Sequence, residues 1–445
     1  MTSDLSHADT STPAVVLKLD ANPMHHGGLG AIRTLGRLGV PVYGVHESAL
    51  APAANSRYLH GRWFWQPDPE DTERLRTGLE QLAARIGRRA VLIPTDDAGA
   101  IFLAEHGAGL RKWFLFTAPP ADLPRRLAGK YSMYKLCREL GVPCPLAAVP
   151  GSLDEARQFA AAAGFPLIAK LTAPWQRRGN GGQALRSTTI VGSAAELDAV
   201  YQASGGDGSS LMLQEFIPAE PGGDWFFHGY CDAASVCRPA FTGVKDRSYP
   251  AHAGLTSLGH SASNARLSGE MARLFTRLSY RGIMDLDLRR DPRDGRYKLL
   301  DFNPRLGAQF RLFRDTAGID VVLAQYLDLT GQPWPGRDRA AGEQVSGRRF
   351  LVENYDPISA VRYWRDGELG VRAWAASLRG IDEAAWFARD DLRPFGLMCL
   401  YMGWRAARAC TGRRHGKRAG ANASGPANGA ATGEPRYRPG RNNNE

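Results

Sequence analysis

Residues 287–305, DLRRDPRDGRYKLLDFNPR, constrain the fold more than any other stretch of the chain. Two short apolar segments, 283–288 and 297–302, flank a turn rich in Asp, Pro, Arg and Gly, which is the signature of a hairpin with a longer loop. Side chains two apart in extended backbone share a face, so Asp301, Asn303 and Arg305 point together, with Asp287 near the end of the neighbouring strand. Two carboxylates, an amide oxygen and a guanidinium on one sheet face beside a core are costly to assemble. Singly, each is accounted for by a surface ion pair or a turn. Together they point to a site, since oxygen ligands with open positions suit Mg²⁺ bridged to nucleotide phosphates and the arginine suits an anion or a negatively charged transition state.

Upstream, the pattern is that of a parallel α/β sheet. An apolar run at 14–19 ends in the loop ANPMHHGGLG, a helix is predicted over 31–38, and a second strand follows at 40–45. A further strand at 90–93 ends in Pro94-Thr95-Asp96-Asp97 and enters a helix over 98–105. Open α/β sheets bind ligands at the carboxyl ends of their strands. The loops His25 to Gly30 and Thr95 to Asp97 are therefore expected to line one wall of a site.

The middle of the chain reads as α+β. A basic helix over 127–140 carries Lys130, and Ser152 with Glu155 three residues on forms a capping box for a helix over 153–163. Lys170 lies inside the apolar strand 165–171, where a buried cation requires an anionic partner. The glycine-rich, basic stretch 177–182, RRGNGG, is a hairpin able to close over phosphates with its N–H groups. Strands are expected at 211–217, 225–230 and 235–243, then a basic loop holding Lys245 and Arg247, and a helix over 270–280. A closing helix is read over 320–329.

Composition narrows the class. The polar N-terminus gives no expectation of a signal peptide, and no run reaches the roughly 18 apolar residues that span a bilayer. The six cysteines form no CxxC pair, so they are expected to be free thiols in a reducing cytoplasm, with neither a disulfide framework nor a zinc site. Residues 405–445 hold nine Lys/Arg against two Asp/Glu, so this tail carries +7 of the net +11. It lacks aromatic interleaving beyond Tyr437, and no specific nucleic-acid recognition is expected. An aromatic segment containing Tyr355, Trp364, Trp374 and Trp386 ends in a ten-residue apolar-leaning run, 395–404, followed by cations. It is read either as a packed terminal helix or as a segment lying on an anionic membrane surface.

The order of these elements over residues 14–330 resembles the ATP-grasp superfamily. There a strand G-x-x-x-x-E/Q carries one metal ligand, which here is Gly282 to Asp287, and the next strand ends E-x-N-P-R, here Asp301-Phe302-Asn303-Pro304-Arg305. The resemblance implies Mg²⁺ ligation by Asp287, Asp301 and Asn303, with Arg305 on the transferring group. It implies ATP phosphates held by Lys130, Lys170 and a glycine loop with Gly179, Gly181 and Gly182. It also implies an adenine hinge at Gln214-Glu215-Phe216-Ile217, a ribose carboxylate at Asp224, and a basic loop of Lys245 and Arg247 on the phosphates or an anionic substrate. Both metal carboxylates are Asp, a methylene shorter than the usual Glu, and Gln214 replaces a common Glu.

Within the superfamily the chain most resembles the D-aspartate-ligase-like carboxylate–amine ligases. The implied reaction is ATP-dependent C–N bond formation through an acyl phosphate, with ATP and Mg²⁺ as cofactors and a small carboxylate and an amine as substrates. Arg311 or Arg314 is a candidate for the substrate carboxylate. The alternatives are a bicarbonate-using, carboxylase-like enzyme and a non-catalytic nucleotide-binding scaffold. The expected organisation is an α/β plus α+β chain. A disordered N-terminus (1–12) precedes an N-terminal parallel-sheet α/β domain (13–125) and a two-lobed ATP-grasp module (126–330). A linker (331–348), a small aromatic C-terminal extension (349–408) and a basic disordered tail (409–445) follow. The expected location is cytoplasmic, with peripheral contact at the inner membrane face.

Overall fold

The computed structural model describes residues 7–172, 188–204, 211–252, 254–334 and 344–420, with side chains as far as Arg408. The expected glycine loop, with Gly179, Gly181 and Gly182, and the tail beyond Gly420 lie outside the described residues.

The N-terminal region is a parallel sheet in the order β3-β2-β1-β4-β5, made of β1 (Ala14–Leu17), β2 (Val42–His46), β3 (Leu59–Phe64), β4 (Ala90–Pro94) and β5 (Phe114–Leu115). The helices α1 (His26–Leu38), α2 (Thr72–Ile86), α3 (Asp97–His106) and α4 (Leu123–Ala128) accompany it. Helix α1 starts five residues before the predicted start and absorbs His26, Gly27 and Gly28, which were read as a loop. Packing explains this. A Cβ on Gly30 would lie 2.7 Å from Phe310 Cε1, and one on Gly27 would lie 3.0 Å from Ala308 Cα, so these glycines let the helix approach a distant segment closely.

The next lobe is a small sheet in the order β6-β9-β7-β8 from β6 (Ala147–Ala148), β7 (Leu167–Leu171), β8 (Thr188–Val191) and β9 (Leu211–Glu215). It is preceded by α5 (Lys130–Leu140) and covered by α6 (Leu153–Ala163) and α7 (Ala194–Ala203). The predicted capping box forms: Ser152 Oγ accepts from the Glu155 N–H at 3.2 Å. The helix predicted over 127–140 is interrupted at Gly129, so Lys130 opens a new helix instead of lying inside one.

The largest sheet has the order β14-β13-β10-β11-β12-β15-β16. Its strands are β10 (Asp224–Cys231), β11 (Cys237–Tyr249), β12 (Leu255–Ser261), β13 (Gly282–Arg290), β14 (Tyr297–Asn303), β15 (Arg349–Leu351) and β16 (Glu383–Ala384). Lys245 and Arg247 were expected in a loop but lie within β11, where two register shifts against β12 bend the strand without ending it. One face packs Phe226, Tyr230 and Phe241 against α9 (Val321–Leu329) and the N-terminal region. The other packs Phe227, Leu286, Leu288 and Leu299 against α8 (Ala265–Leu278), α4 and α5.

The segment 349–408 also differs from the separate extension expected of it. Strand β15 pairs antiparallel with β12, so this segment completes the large sheet. Helices α10 (Asp356–Arg365) and α11 (Val371–Ser377) follow, then α12 (Arg393–Gly420), which runs into the region expected to be a disordered tail. Trp386 is fully buried, and the Arg33–Asp391 ion pair, 1% exposed on both sides, ties α1 to the turn before α12. Buried apolar area and a buried ion pair outweigh the Pro/Gly/Arg-rich composition that suggested a boundary.

Candidate active site

The hairpin β13–β14 forms as its sequence predicts, and its register sets the site. Asp287 pairs with Asp301 and Asp285 with Asn303, and a bulge follows Asp287. Cross-strand partners share a face, so these four side chains look out together. It is the face of Phe226, which pairs with Asp287 from β10.

Cations converge on this face from separate elements. Lys130, the first residue of α5, donates to Asp301 Oδ1. Its backbone N–H donates to the Thr172 carbonyl at 3.1 Å, which ties the start of α5 to the end of β7 and so to Lys170. Lys170 Nζ donates to the Leu300 carbonyl at 3.3 Å. Burial pulls the Lys170 ammonium below its ordinary value, against the opposing pull of Asp301 and Asp287. Lys245 reaches across β10 and donates to Asp287 Oδ1 at 2.8 Å. Burial opposes its charge, but Asp287 and Asp224 outweigh burial and hold it above the ordinary lysine value.

The acids respond differently to the same surroundings. Burial would raise both carboxyls. Lys130 and Lys170 reverse this at Asp301 and hold it low, whereas at Asp287 burial prevails over Lys245 and the carboxyl is raised. Asp285 is held at about 2: burial is outweighed by His228, 3.1 Å away, and by Arg305, whose Nη1 donates to it at 3.1 Å. Arg305 also lies 3.4 Å from Asp97. The loop after β4 thus contributes a wall of the site, as expected, through Asp97. Its neighbour Asp96 instead caps α3 and accepts the Leu19 and Asp20 N–H groups.

Other expected residues are placed as follows. Asp224 is engaged by Arg289, with Nη2 donating to its Oδ2 at 2.9 Å. At the hinge, the Glu215 N–H donates to the Leu146 carbonyl at 2.8 Å, and the Ile217 carbonyl accepts from Arg289 Nη1 at 2.9 Å. Arg289 also stands over the Phe216 ring, 5.9 Å from its centroid, and Gln214 is buried in β9. Arg247 is not brought to the site: it is buried against Asp356 at 2.8 and 3.0 Å and fastens β11 to α10. Arg311 is paired with Glu383 at 2.6 and 3.0 Å, which removes it as a free substrate clamp. Sequence reasoning missed His228, fully buried opposite Asp285. A histidine inside the apolar run DWFFHGYC was its available signal; its partner depends on strand pairing.

Asp287, Asp301 and Asn303 offer hard oxygen donors. The Asn303 amide nitrogen donates to Asp285 at 3.3 Å, so its oxygen is not the atom used in that bond. Among the described residues no group of three His, Cys, Asp or Glu side chains could hold a metal ion. This donor set fits Mg²⁺, which keeps few protein carboxylates and completes its shell with phosphate oxygens and water.

No family model matches the chain. It is 24% identical over 273 residues to the D-aspartate ligase of Enterococcus faecium (strain Aus0004), a match covering 58% of this chain and 63% of that enzyme, so the chain spans less than two thirds of the length of this curated relative. Among solved structures, the biotin carboxylase domain of Hydrogenobacter thermophilus 2-oxoglutarate carboxylase, with MgADP, ADP and bicarbonate, superposes with a TM-score of 0.54 at 18% identity, covering 77% of this chain and 74% of that one. The N5-carboxyaminoimidazole ribonucleotide synthetase of Thermus thermophilus gives 0.53 at 14% identity, covering 75% and 81%. The likeness to these structures shows that the chain shares their fold.

Proposed function

We propose that the protein is an ATP-dependent carboxylate–amine ligase using Mg²⁺. The observation that carries this reading is the convergence of Lys130, Lys170, Lys245 and Arg305 on Asp285, Asp287 and Asp301 over one sheet face. A substrate carboxylate oxygen attacks the γ-phosphorus of ATP, the bond to the β-bridging oxygen breaks, and ADP leaves. The amine nitrogen then adds to the acyl carbon, phosphate departs, and the amine proton is released as the amide forms. Lys130 and Lys170 hold the phosphates, and Lys245 reaches the same anionic surface beside Asp287. Arg305, oriented by Asp97 and Asp285, meets the charge that develops during transfer. Asp287, Asp301 and Asn303 would hold Mg²⁺, which would supply positive charge to offset that of the phosphates. Asp224 and the 214–217 hinge serve the nucleoside, and Arg289 sets the position of both. Gly179, Gly181 and Gly182 complete the assignment as phosphate-covering residues.

The name of the Enterococcus faecium relative directs the substrate screen to amino acids, D-aspartate first. The test is ADP release from MgATP across a panel of carboxylates and amines, with and without bicarbonate. Arg305→Lys is expected to lower kcat by about 10²–10³-fold, and Asp301→Ala to abolish turnover. Bicarbonate-dependent, amine-independent ADP release would favour the carboxylase-like alternative. Undiminished activity in Asp301→Ala would sink the assignment.

We also infer a peripheral position at an anionic membrane surface facing the cytoplasm. Helix α12 is exposed throughout from Gly403 to Arg408, with Leu400 at 71% and Trp404 at 52% exposure. Residues 405–420 add six Lys/Arg and no acid. Apolar side chains at the base of a cationic helix suit an interfacial position. Among the described residues, no helix is long and apolar enough to cross a membrane.

A further inference from the structure

A cavity of about 250 Å³ lies on the opposite face of the β13–β14 hairpin from the acids. The bulge in the hairpin creates this division. It pairs Asp287 with Asp301 and then Leu288 with Leu299, so the leucines face α8 while the acids face the candidate active site. Leu288, Leu299, Met271 and Leu274, all buried, form an apolar floor. The wall includes Leu140, the last residue of the helix that begins with Lys130.

The rim is cationic. Arg266, Arg273, Arg277 and Arg296 line the cavity with one acid, Glu270. Two of the arginines are engaged: Arg266 pairs with Glu270 at 3.0 Å, and Arg277 donates to the Leu140 carbonyl at 2.8 Å. Arg273 and Arg296 are exposed and have no side-chain partner among the described residues. They line the same cavity as the buried leucines, a combination that neither a surface ion-pair network nor simple packing requires.

We propose that this cavity binds a small amphipathic anion, a carboxylate or phosphate on a short aryl or alkyl body. The apolar body rests on Leu288, Leu299 and Leu274, and the anionic head meets Arg273 and Arg296. The proposal is independent of the ligase reading, because its ligand and residues lie outside the ATP-facing surface; ADP enters the test only to occupy that surface, and the arginine variant reads the cavity whether or not ADP binds. The floor and wall nonetheless belong to the strands and helix that carry Asp287, Asp301 and Lys130.

The test is calorimetric titration of the full-length protein, saturated with ADP to occupy the other face, using benzoate, phenyl phosphate and hexanoate, with neutral benzamide as control. At least one anion is expected to bind with one-to-one stoichiometry, and benzamide is not. Arg273→Ser with Arg296→Ser should weaken binding by about tenfold or more, since charge-assisted bonds are lost. These side chains are exposed, so the fold is expected to persist, as an unchanged melting temperature will show. Leu274→Trp, which fills the cavity, should abolish binding. Failure of all three anions to bind, equal binding of benzamide, or undiminished binding in the double arginine variant overturns the proposal.

Discussion

Replacing Arg33 by alanine should release the segment before α12 from the N-terminal region. Arg33 and Asp391 are each 1% exposed, with Nε 3.0 Å from Oδ2. Arg33 Nη2 also donates to the carbonyls of Trp386 at 2.7 Å and Asp391 at 3.0 Å. Alanine leaves the Asp391 carboxylate buried with only Ser56 Oγ and the Arg57 N–H as donors, and strands two carbonyls. Breaking a buried pair from one side costs about 3–5 kcal/mol. At about 1.4 kcal/mol per decade, local opening should rise by roughly two to three and a half decades. Native-state hydrogen exchange at the amides of Ala385, Asp391 and Gly396 reads this directly, as all three are hydrogen-bonded in the segment. The Leu299 amide, bonded to Pro143 in the far lobe, serves as the control. Arg33→Met with Asp391→Leu should recover part of the loss, and not all, because Ser56 and Arg57 lose their acceptor. Acceleration below tenfold at the three amides, in a folded Arg33→Ala protein, would refute the claim that this pair fastens the segment.

Three further outcomes are expected. Asp285 is held at about 2 by His228 and Arg305 against the effect of burial, compared with about 3.9 in an unfolded chain. A depressed folded value stabilises above the unfolded value and is lost as pH falls through the folded one. Wild type should therefore exceed Asp285→Asn by roughly 2–3 kcal/mol near neutral pH, with the gap narrowing between pH 4 and 2; a gap in urea unfolding that stays constant from pH 7 to 2.5 contradicts this. Gly30→Ala, which in an open helix gains up to about 1 kcal/mol, should instead destabilise by about 1–3 kcal/mol, because its Cβ would meet Phe310 Cε1 at 2.7 Å and Arg311 Cδ at 3.0 Å. A raised unfolding midpoint would show that residues 310–311 yield. Deleting residues 403–445 should abolish co-sedimentation with phosphatidylserine-containing vesicles while leaving ADP release intact; unchanged co-sedimentation sinks the membrane reading.

What the sequence determined by itself was local. The alternation in 283–302 and its Asp-Pro-Arg-Asp-Gly turn specify a hairpin whatever surrounds it, and Ser152 with Glu155 specifies a helix start. The polar groups at Asp287, Asp301, Asn303 and Arg305 stood out because such side chains seldom share an apolar setting without a purpose. Lys170 in a buried strand called for an anion for the same reason; the structure bonds it to the Leu300 carbonyl, and the charges of Asp301 and Asp287 offset its burial only in part. Tertiary structure decided the partners. Lys245 and Arg247, two residues apart on one bent strand, go to Asp287 and Asp356 respectively, because β-bulges re-aim side chains in ways that period-two reasoning does not contain. His228 gained its role from the register that sets it against Asp285. Gly27 and Gly30 belong to a helix and not a loop, where residues more than 270 positions away press against them. The C-terminal segment joined the large sheet through β15 and β16, and burial of Trp386 and the Arg33–Asp391 pair is a long-range gain, invisible to local composition. Pattern fixes what a segment can be; only packing fixes what it touches, and in this protein the charged groups of the site are defined by what they touch.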